Sequence, residues 1–360
     1  MRVGLNISTA CGNLAGIGNY AFQLAKHLPV VAPEEEWIFL GTDPRFEQTF
    51  ARENARVFPR ERGIPRIFWE QAVLPNAARR VNAELLHGTD FGGPLMYQRE
   101  TINTLHDLSP FADPAFFPWA KRAYKKALIS LAARRNPAVI TVSNFSRAEI
   151  IERFQINPER VFAIPLGADK ADVACRATED PPRLLFVGTL ENRKNITRLI
   201  EAFGILHSRR AMRHRLVLAG QPGYGWETIR TAMEQNPAAS CIDIRGYISQ
   251  TELVNLYESV AVFVYPSLYE GFGLPVIEAM AHGLPVVCSR AASLPEVGGD
   301  AAMYFDPYNV EEMAAAIERV IDSPSLQNEM REKGLRQAAK FTWEECARKH
   351  VEVYRAVLGR

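Results

Sequence analysis

At 360 residues the chain is longer than a single hydrophobic core usually serves, so two domains are expected. Its 47% hydrophobic and 23% charged residues describe an ordinary soluble globular protein, and a net charge of +1 argues against bulk attraction to nucleic acid. The five cysteines (Cys11, Cys175, Cys241, Cys288, Cys346) are odd in number and form no CxxC pair, which favours reduced thiols in a cytosol over a disulfide framework or a zinc site. Met1-Arg2 leads into "VGLNI", an apolar run too short for a signal peptide. No apolar run reaches the roughly 18 residues of a membrane span, so the expected location is cytoplasmic, at most peripheral on a membrane face.

Short β-branched runs alternate with helix-period stretches along the chain. The strand candidates are "RVGLNI", "WIFLG", "ARVFP", "AELLH", "TINTLH", "AVITVS" and "RVFAIP", then "RLLFVG", "RLVLAG", "CIDIRG", "VAVFVYP", "LPVVCS" and "AAMYF". Each is apolar on both alternations, as in strands buried on both faces, and the βαβα order implies parallel sheets covered by helices. The fold class is therefore α/β with two doubly wound, Rossmann-like domains, which place their binding crevices at the carboxyl ends of the strands. The expected boundaries are residues 1–167, a linker over 168–182 with no sustained period, and 183–342. A helix over 343–360, with Thr342 as N-cap and Glu345 at the capping-box spacing, is expected to return to the first domain.

Taken in chain order, the polar residues near strand ends carry the functional signal. Gly16 and Gly18 precede an amphipathic helix, and Gly16-x-Gly18-x-x-Ala21 matches a weak dinucleotide fingerprint with Asp43 at a tempting distance. That fingerprint needs glycine directly after the strand, and eight residues separate Ile7 from Gly16, so Asp43 reads as a turn residue. His106 and Asp107 end a strand, where a neutral imidazole can bond a ligand hydroxyl or take up a proton. Asp107 reads as orienting it or capping the next turn. The segment Pro114–Arg147 holds seven Lys or Arg and no acid, with Phe116, Phe117, Trp119 and Tyr124 at its front. Such a helix either packs on a sheet with a solvated basic edge or lies on anionic lipid headgroups. Ser146 and Glu149 read as a capping box, and Ser143, at a strand end, as a weak ligand candidate. Arg193 and Lys194 follow the first strand of the second series, where paired cations can bind phosphate oxygens without a metal. No Asp-x-Asp occurs in the sequence, and no metal is expected. Tyr247 follows "CIDIRG".

The densest signal is "YPSLYEGFGLPVIEAMAHGLPVV", Tyr265–Val287. A buried strand ends at Pro266, Pro275 suits the first turn of a helix, and Gly283 suits the left-handed position after it. Gly271 and Gly273 let backbone approach a ligand, and the helix start offers unpaired N–H groups. Glu278 is expected on the first turn. Eight residues of helix span roughly 12 Å, against the 5–9 Å separating two carboxylates that share one glycosidic bond. Glu270 and Glu278 therefore suit the two ends of one ligand better than a single bond.

The stretch resembles the E-x7-E signature of retaining nucleotide-sugar glycosyltransferases of the family 4 type, with the GT-B fold. Glutamate spacing, G-F-G-L-P and the E-A-M-A-x-G-x-P-V-V continuation occur together, and "GTLENRKN" is similar to the family's basic loop. The likeness is strongest from Arg183 to Asp306. It implies that Glu270 contacts donor-sugar hydroxyls, that Glu278 binds the ribose, and that the backbone of Phe272, Gly273 and Leu274 faces sugar and diphosphate. It further implies that Arg193 and Lys194 bind the diphosphate, that the Gly16–Gly18 loop reaches toward it, that Tyr247 lies by the nucleobase and that His106 touches the sugar. The implied activity is hexosyl transfer with retention from a GDP- or UDP-sugar, and no other cofactor. The implied acceptor is a saccharide or lipid-linked saccharide. "GIGNYA", "TLHDLSPF" and "GTLENRKN" look like bacterial mannosyltransferases of surface-polysaccharide (O-antigen, lipopolysaccharide or exopolysaccharide) biosynthesis. A UDP-sugar transferase, phosphorylase, nucleotide-sugar epimerase or non-catalytic nucleotide-sugar-binding module are the alternatives.

Overall fold

Runs of residues with no polar face become strands covered on both faces, while the runs "ARVFP" and "CIDIRG" become strands that keep exposed residues. In the computed structural model, which describes residues 1–10, 14, 16–59, 68–91, 93, 94, 97, 100–169, 171, 180–209 and 213–360, each expected run forms a strand. The first series gives β1 (Arg2–Asn6), β2 (Glu36–Thr42), β3 (Ala55–Pro59), β4 (Leu85–Gly88), β5 (Glu100–Thr104), β6 (Val139–Thr141) and β7 (Val161–Ala163). The second gives β8 (Arg183–Val187), β9 (Arg215–Ala219), β10 (Ile242–Gly246), β11 (Val262–Tyr265), β12 (Val286–Ser289) and β13 (Ala302–Phe305). They form two sheets, ordered β3-β2-β1-β4-β5-β6-β7 and β10-β9-β8-β11-β12-β13, with every strand pairing parallel. β4, β6, β11 and β12 are buried along their whole length, because helices cover both faces of a parallel sheet. Each Leu, Val or Phe so buried contributes roughly 1.5–3 kcal/mol.

The helices used below are α1 (Ile17–Val31), α2 (Trp119–Arg135), α3 (Asn144–Phe154), α4 (Ile196–Arg209), α5 (Gln250–Ser259), α6 (Leu274–Ala281) and α7 (Trp343–Val357). Thr342 caps α7 by accepting from the Glu345 N–H at 3.2 Å, and Gly283 adopts φ 66° after α6. Two local expectations are corrected. α3 is capped by Ser143, whose hydroxyl accepts from Ser146 N–H at 3.1 Å, so Ser146 lies inside the helix. β6 ends at Thr141, and the chain turns into helix sooner than the Ser146–Glu149 pattern suggests. α6 begins at Leu274, with Gly273 as its N-cap and Pro275 in its first turn, which places Glu278 on the second turn.

The chain divides into two compact units: Met1–Leu108, Ala120–Gly167 and Thr342–Arg360 in the first, Ser109–Trp119 and Ala168–Phe341 in the second. The segment Ser109–Trp119 groups with the second unit although its neighbours on both sides belong to the first. The first unit is thus closed by α7, which packs on α1. Most of the stretch read as a linker, residues 170 and 172–179, lies outside the described residues, as do Cys11 and Cys175. Cys241, Cys288 and Cys346 are free thiols. In the basic segment Phe116 is buried and Trp119 is 83% exposed, and α2 buries only Leu128, Ile129, Ala132 and Ala133. Among the described residues no helix is long and apolar enough to cross a membrane.

Candidate functional site

In a doubly wound sheet a ligand site forms where strand order reverses, outside the carboxyl ends of the two central strands. In the second sheet these are β8 and β11. The loop after β8 carries Glu191, Arg193 and Lys194, and the loop after β11 carries Ser267 and Glu270. Asn195 ties the loops together. It turns through φ 59°, and its amide donates to the carbonyls of Pro266 (3.1 Å) and Pro307 (2.7 Å).

These loops bring three expected residues into one cluster. Lys194 Nζ donates to Glu270 Oε1 and to the Tyr265 hydroxyl, both at 2.6 Å. Ser267 donates to the same carboxylate oxygen at 2.5 Å and Tyr265 at 3.2 Å, while Arg193 Nη1 donates to Oε2 at 3.1 Å. Arg193 also donates to the Tyr269 carbonyl at 2.8 Å and to Glu191 at 2.9 Å. Glu270 and Lys194 are only 7% and 8% exposed, so their charges are balanced by each other and by Arg193 and Glu191 rather than by water. Burial raises the Glu270 carboxyl, but Lys194, Arg193 and the Ser267 hydroxyl outweigh it and hold the group down to about 2. Burial lowers the Lys194 ammonium, and Glu270 only partly offsets that. Lys194 therefore gains from any further anion placed against its third N–H.

Glu278 sits in the opposite environment. It is half-buried on α6, where the Tyr257 hydroxyl of α5 donates to it at 3.4 Å. Burial, with a smaller contribution from Asp169, pushes its carboxyl up to about 7. The two glutamates of the signature are thus an ionised anchor and a carboxyl poised near neutrality. Gly273 takes φ 105°, where a side chain is strained, and a Cβ there would meet Leu294 at 2.6 Å. The backbone here is held from below, because Ser293 donates to the carbonyls of both Glu270 and Phe272 at 2.9 Å. Phe272 and Leu274 are buried, whereas Tyr247 is 49% exposed.

The remaining expected residues lie in the first unit. Gly16 caps α1 at φ 51°, Gly18 lies in the helix's first turn, and part of the loop before them falls outside the described residues. His106 follows β5. Its Nε2–H donates to the Thr89 carbonyl at 2.9 Å, so Nδ1 is left as an acceptor, and burial lowers its pKa. Asp107 follows it, half-buried, and Ser143 is the buried cap of α3. Sequence reasoning missed Tyr265, Ser267, Glu191 and Ser293. Ser267 did carry a signal, standing three residues before Glu270 at the end of an apolar strand.

Comparison with known proteins accords with this architecture. Residues 169–337 match the family described as glycosyl transferases group 1, and residues 14–172 match glycosyltransferase family 4. The O-antigen chain mannosyltransferase B of Escherichia coli is 32% identical over 367 residues, covering 95% of this chain and 96% of that protein. Sucrose-phosphate synthase from Thermosynechococcus elongatus aligns with a TM-score of 0.78 at 19% identity, over 100% of this chain and 99% of its own. Anabaena HepE, solved with UDP and glucose, gives 0.75 at 17% identity, over 98% and 99%. At such identities the structural likeness shows the shared GT-B fold.

Proposed function

The chain belongs to the family 4, group 1 glycosyltransferases, and on that premise we propose that it is a retaining, metal-independent hexosyltransferase. In this reading it transfers mannose from GDP-mannose to a hydroxyl of a lipid-linked saccharide during surface-polysaccharide assembly. The mannose and O-antigen assignments draw support from the Escherichia coli relative, an O-antigen chain mannosyltransferase.

The carrying observation is the Glu270–Lys194–Arg193 cluster at the strand-order reversal of the second sheet. A departing nucleoside diphosphate gains negative charge, and fixed cations in a partly desolvated site stabilise it without reorganising at the moment of reaction. Glu270 and Glu191 hold Arg193 and Lys194 for that task, and Lys194 spends two of its three N–H bonds on Glu270 and Tyr265. Three donors crowd Glu270 Oε1, whereas among the described residues Arg193 alone donates to Oε2, so Oε2 is the oxygen with room for a sugar hydroxyl. Glu278, when ionised, accepts from ribose hydroxyls. His106 offers Nδ1 to a sugar hydroxyl and stays neutral. The departing diphosphate itself takes the acceptor proton on the same face, which preserves the anomeric configuration. Exposed Trp119 and Lys121 support contact between the 114–147 segment and an anionic membrane face.

The test is a panel of GDP- and UDP-sugars scored for thermal stabilisation, followed by transfer to extracted lipid-linked acceptor with the product's anomer read by NMR. GDP-mannose should stabilise most and give an α-linked product in the presence of EDTA. Stabilisation by UDP-sugars alone would move the assignment to a different donor. Release of inorganic phosphate, or product formed without acceptor, would identify a phosphorylase or an epimerase.

A further inference from the structure

The first unit buries a chain of polar groups that the proposed reaction does not use. His350 and Tyr354 stand four residues apart on one face of α7. His350 Nδ1 lies 2.7 Å from the Cys346 carbonyl, and its Nε2 lies 2.8 Å from the Tyr20 hydroxyl of α1. Tyr20 reaches Thr104, at the end of β5, at 2.7 Å. Thr104 meets His87 Nε2 at 2.9 Å, and His87 Nδ1 meets the Tyr354 hydroxyl at 2.7 Å. Tyr20, His87, Thr104, His350 and Tyr354 are all fully buried.

Burial keeps both histidines neutral, and the proton positions then follow from valence. A carbonyl only accepts, so His350 Nδ1 carries the hydrogen and Nε2 must accept from Tyr20. Tyr20, having given its one hydrogen, accepts from Thr104; Thr104 then accepts from His87 Nε2–H, and His87 Nδ1 accepts from Tyr354. Each hydrogen then has one place to go. The arrangement fixes the Tyr20 side chain, whose ring stands edge-on to that of His106, with centroids 4.8 Å apart and planes at 83°. His106 is also held by the Thr89 carbonyl.

We propose that His350 and Tyr20 are positioning residues for His106: α7 clamps Tyr20, and the Tyr20 ring fixes the imidazole plane in which Nε2–H meets the Thr89 carbonyl, so that Nδ1 is presented as an acceptor. Catalytic relevance rests on the reading above that His106 meets the donor sugar; the positioning itself does not.

The test uses the full chain with labelled histidine and the variants H350L, H350Q, Y20F and H106A. Long-range 1H–15N spectra report the His106 tautomer, and steady-state kinetics with GDP-mannose report turnover. In H350L and Y20F the single His106 tautomer should give way to a mixture, and kcat should fall about tenfold with the donor KM within about twofold, since misplacement of a reacting group costs rate before affinity. H350Q, which still offers an acceptor to Tyr20, should restore the single tautomer and most of the turnover. If H350L does not fold, Y20F and H350Q carry the same comparison. A His106 signal that keeps its single tautomer in Y20F or H350L, whatever the loss of melting temperature, overturns the inference. A tautomer that changes as expected while H106A turns over normally upholds the positioning and refutes the role of His106 in transfer.

Discussion

The two units each bury a polar cluster beside a sheet, and they neutralise it by different means. The first unit uses neutral groups whose donors and acceptors match one to one, from Tyr354 through His87, Thr104 and Tyr20 to His350. The second uses full charges, Glu270 and Glu191 against Lys194 and Arg193. A matched neutral chain cannot admit a new partner without breaking a bond, so it suits a scaffold. A cluster of charges can exchange an internal anion for an incoming one, so it suits a site that, in the proposed reaction, holds a diphosphate and releases it.

The contrast breaks most sharply at Glu270. Glu270→Ala should lower turnover at least about 100-fold and cost about 3–5 kcal/mol of stability by stranding a buried ammonium. Adding Lys194→Met should restore most of the stability and none of the turnover, as read by denaturant melts and transfer assays on the same samples.

Acid should separate the two clusters. His350 is held down to about 4 by burial, so the unfolded chain takes up the proton first. Its contribution, about 3 kcal/mol, is complete above pH 6.5 and is lost as pH falls from 6.5 toward 4. Glu270, held to about 2, keeps its contribution until pH falls below the ordinary carboxyl value near 4.5. Hydrogen exchange at pH 5 should therefore show β4 and β5 loosening while β8 and β11 stay protected. Simultaneous loosening would contradict the difference.

Within the second unit the two signature acids should titrate apart. With Glu278 pushed up to about 7, donor affinity should weaken about tenfold per pH unit below 7, and Glu278→Gln should bind weakly at every pH. The same raised value means that folding favours the protonated form, so Glu278→Gln should melt higher than wild type at pH 8. The smallest effect is expected at Tyr247, whose side chain is half exposed: Tyr247→Ala should change donor KM by no more than about threefold.

The second unit was more legible than the first because its chemistry is local. Arg193 and Lys194 are adjacent, and Glu270 and Glu278 sit on one loop and helix, so short spacings carried the pattern. Even there a boundary misled, since the helix starts at Leu274 and carries Glu278 one turn deeper than expected. The first unit's chain links residues 84, 330 and 267 positions apart, and no local spacing announces such bonds. Tyr20 alone is indistinguishable from any aromatic on an amphipathic helix. The available hint was His350 and Tyr354 at helical spacing on a face otherwise apolar. Ser143 was readable as polar at a strand end, but whether such a serine caps a helix or meets a ligand depends on where the strand stops.

Because α7 returns to the first unit only after the second has been made, the order of synthesis and the order of completion differ. A ribosome adding five to twenty residues per second needs roughly ten to thirty-five seconds to pass from Gly167 to Thr342. Throughout that interval Tyr20 of α1 and His87 of β4 lack their final partners on α7. The later-born half can mature first, and the emergence of His350 and Tyr354 is the event that seals the earlier one.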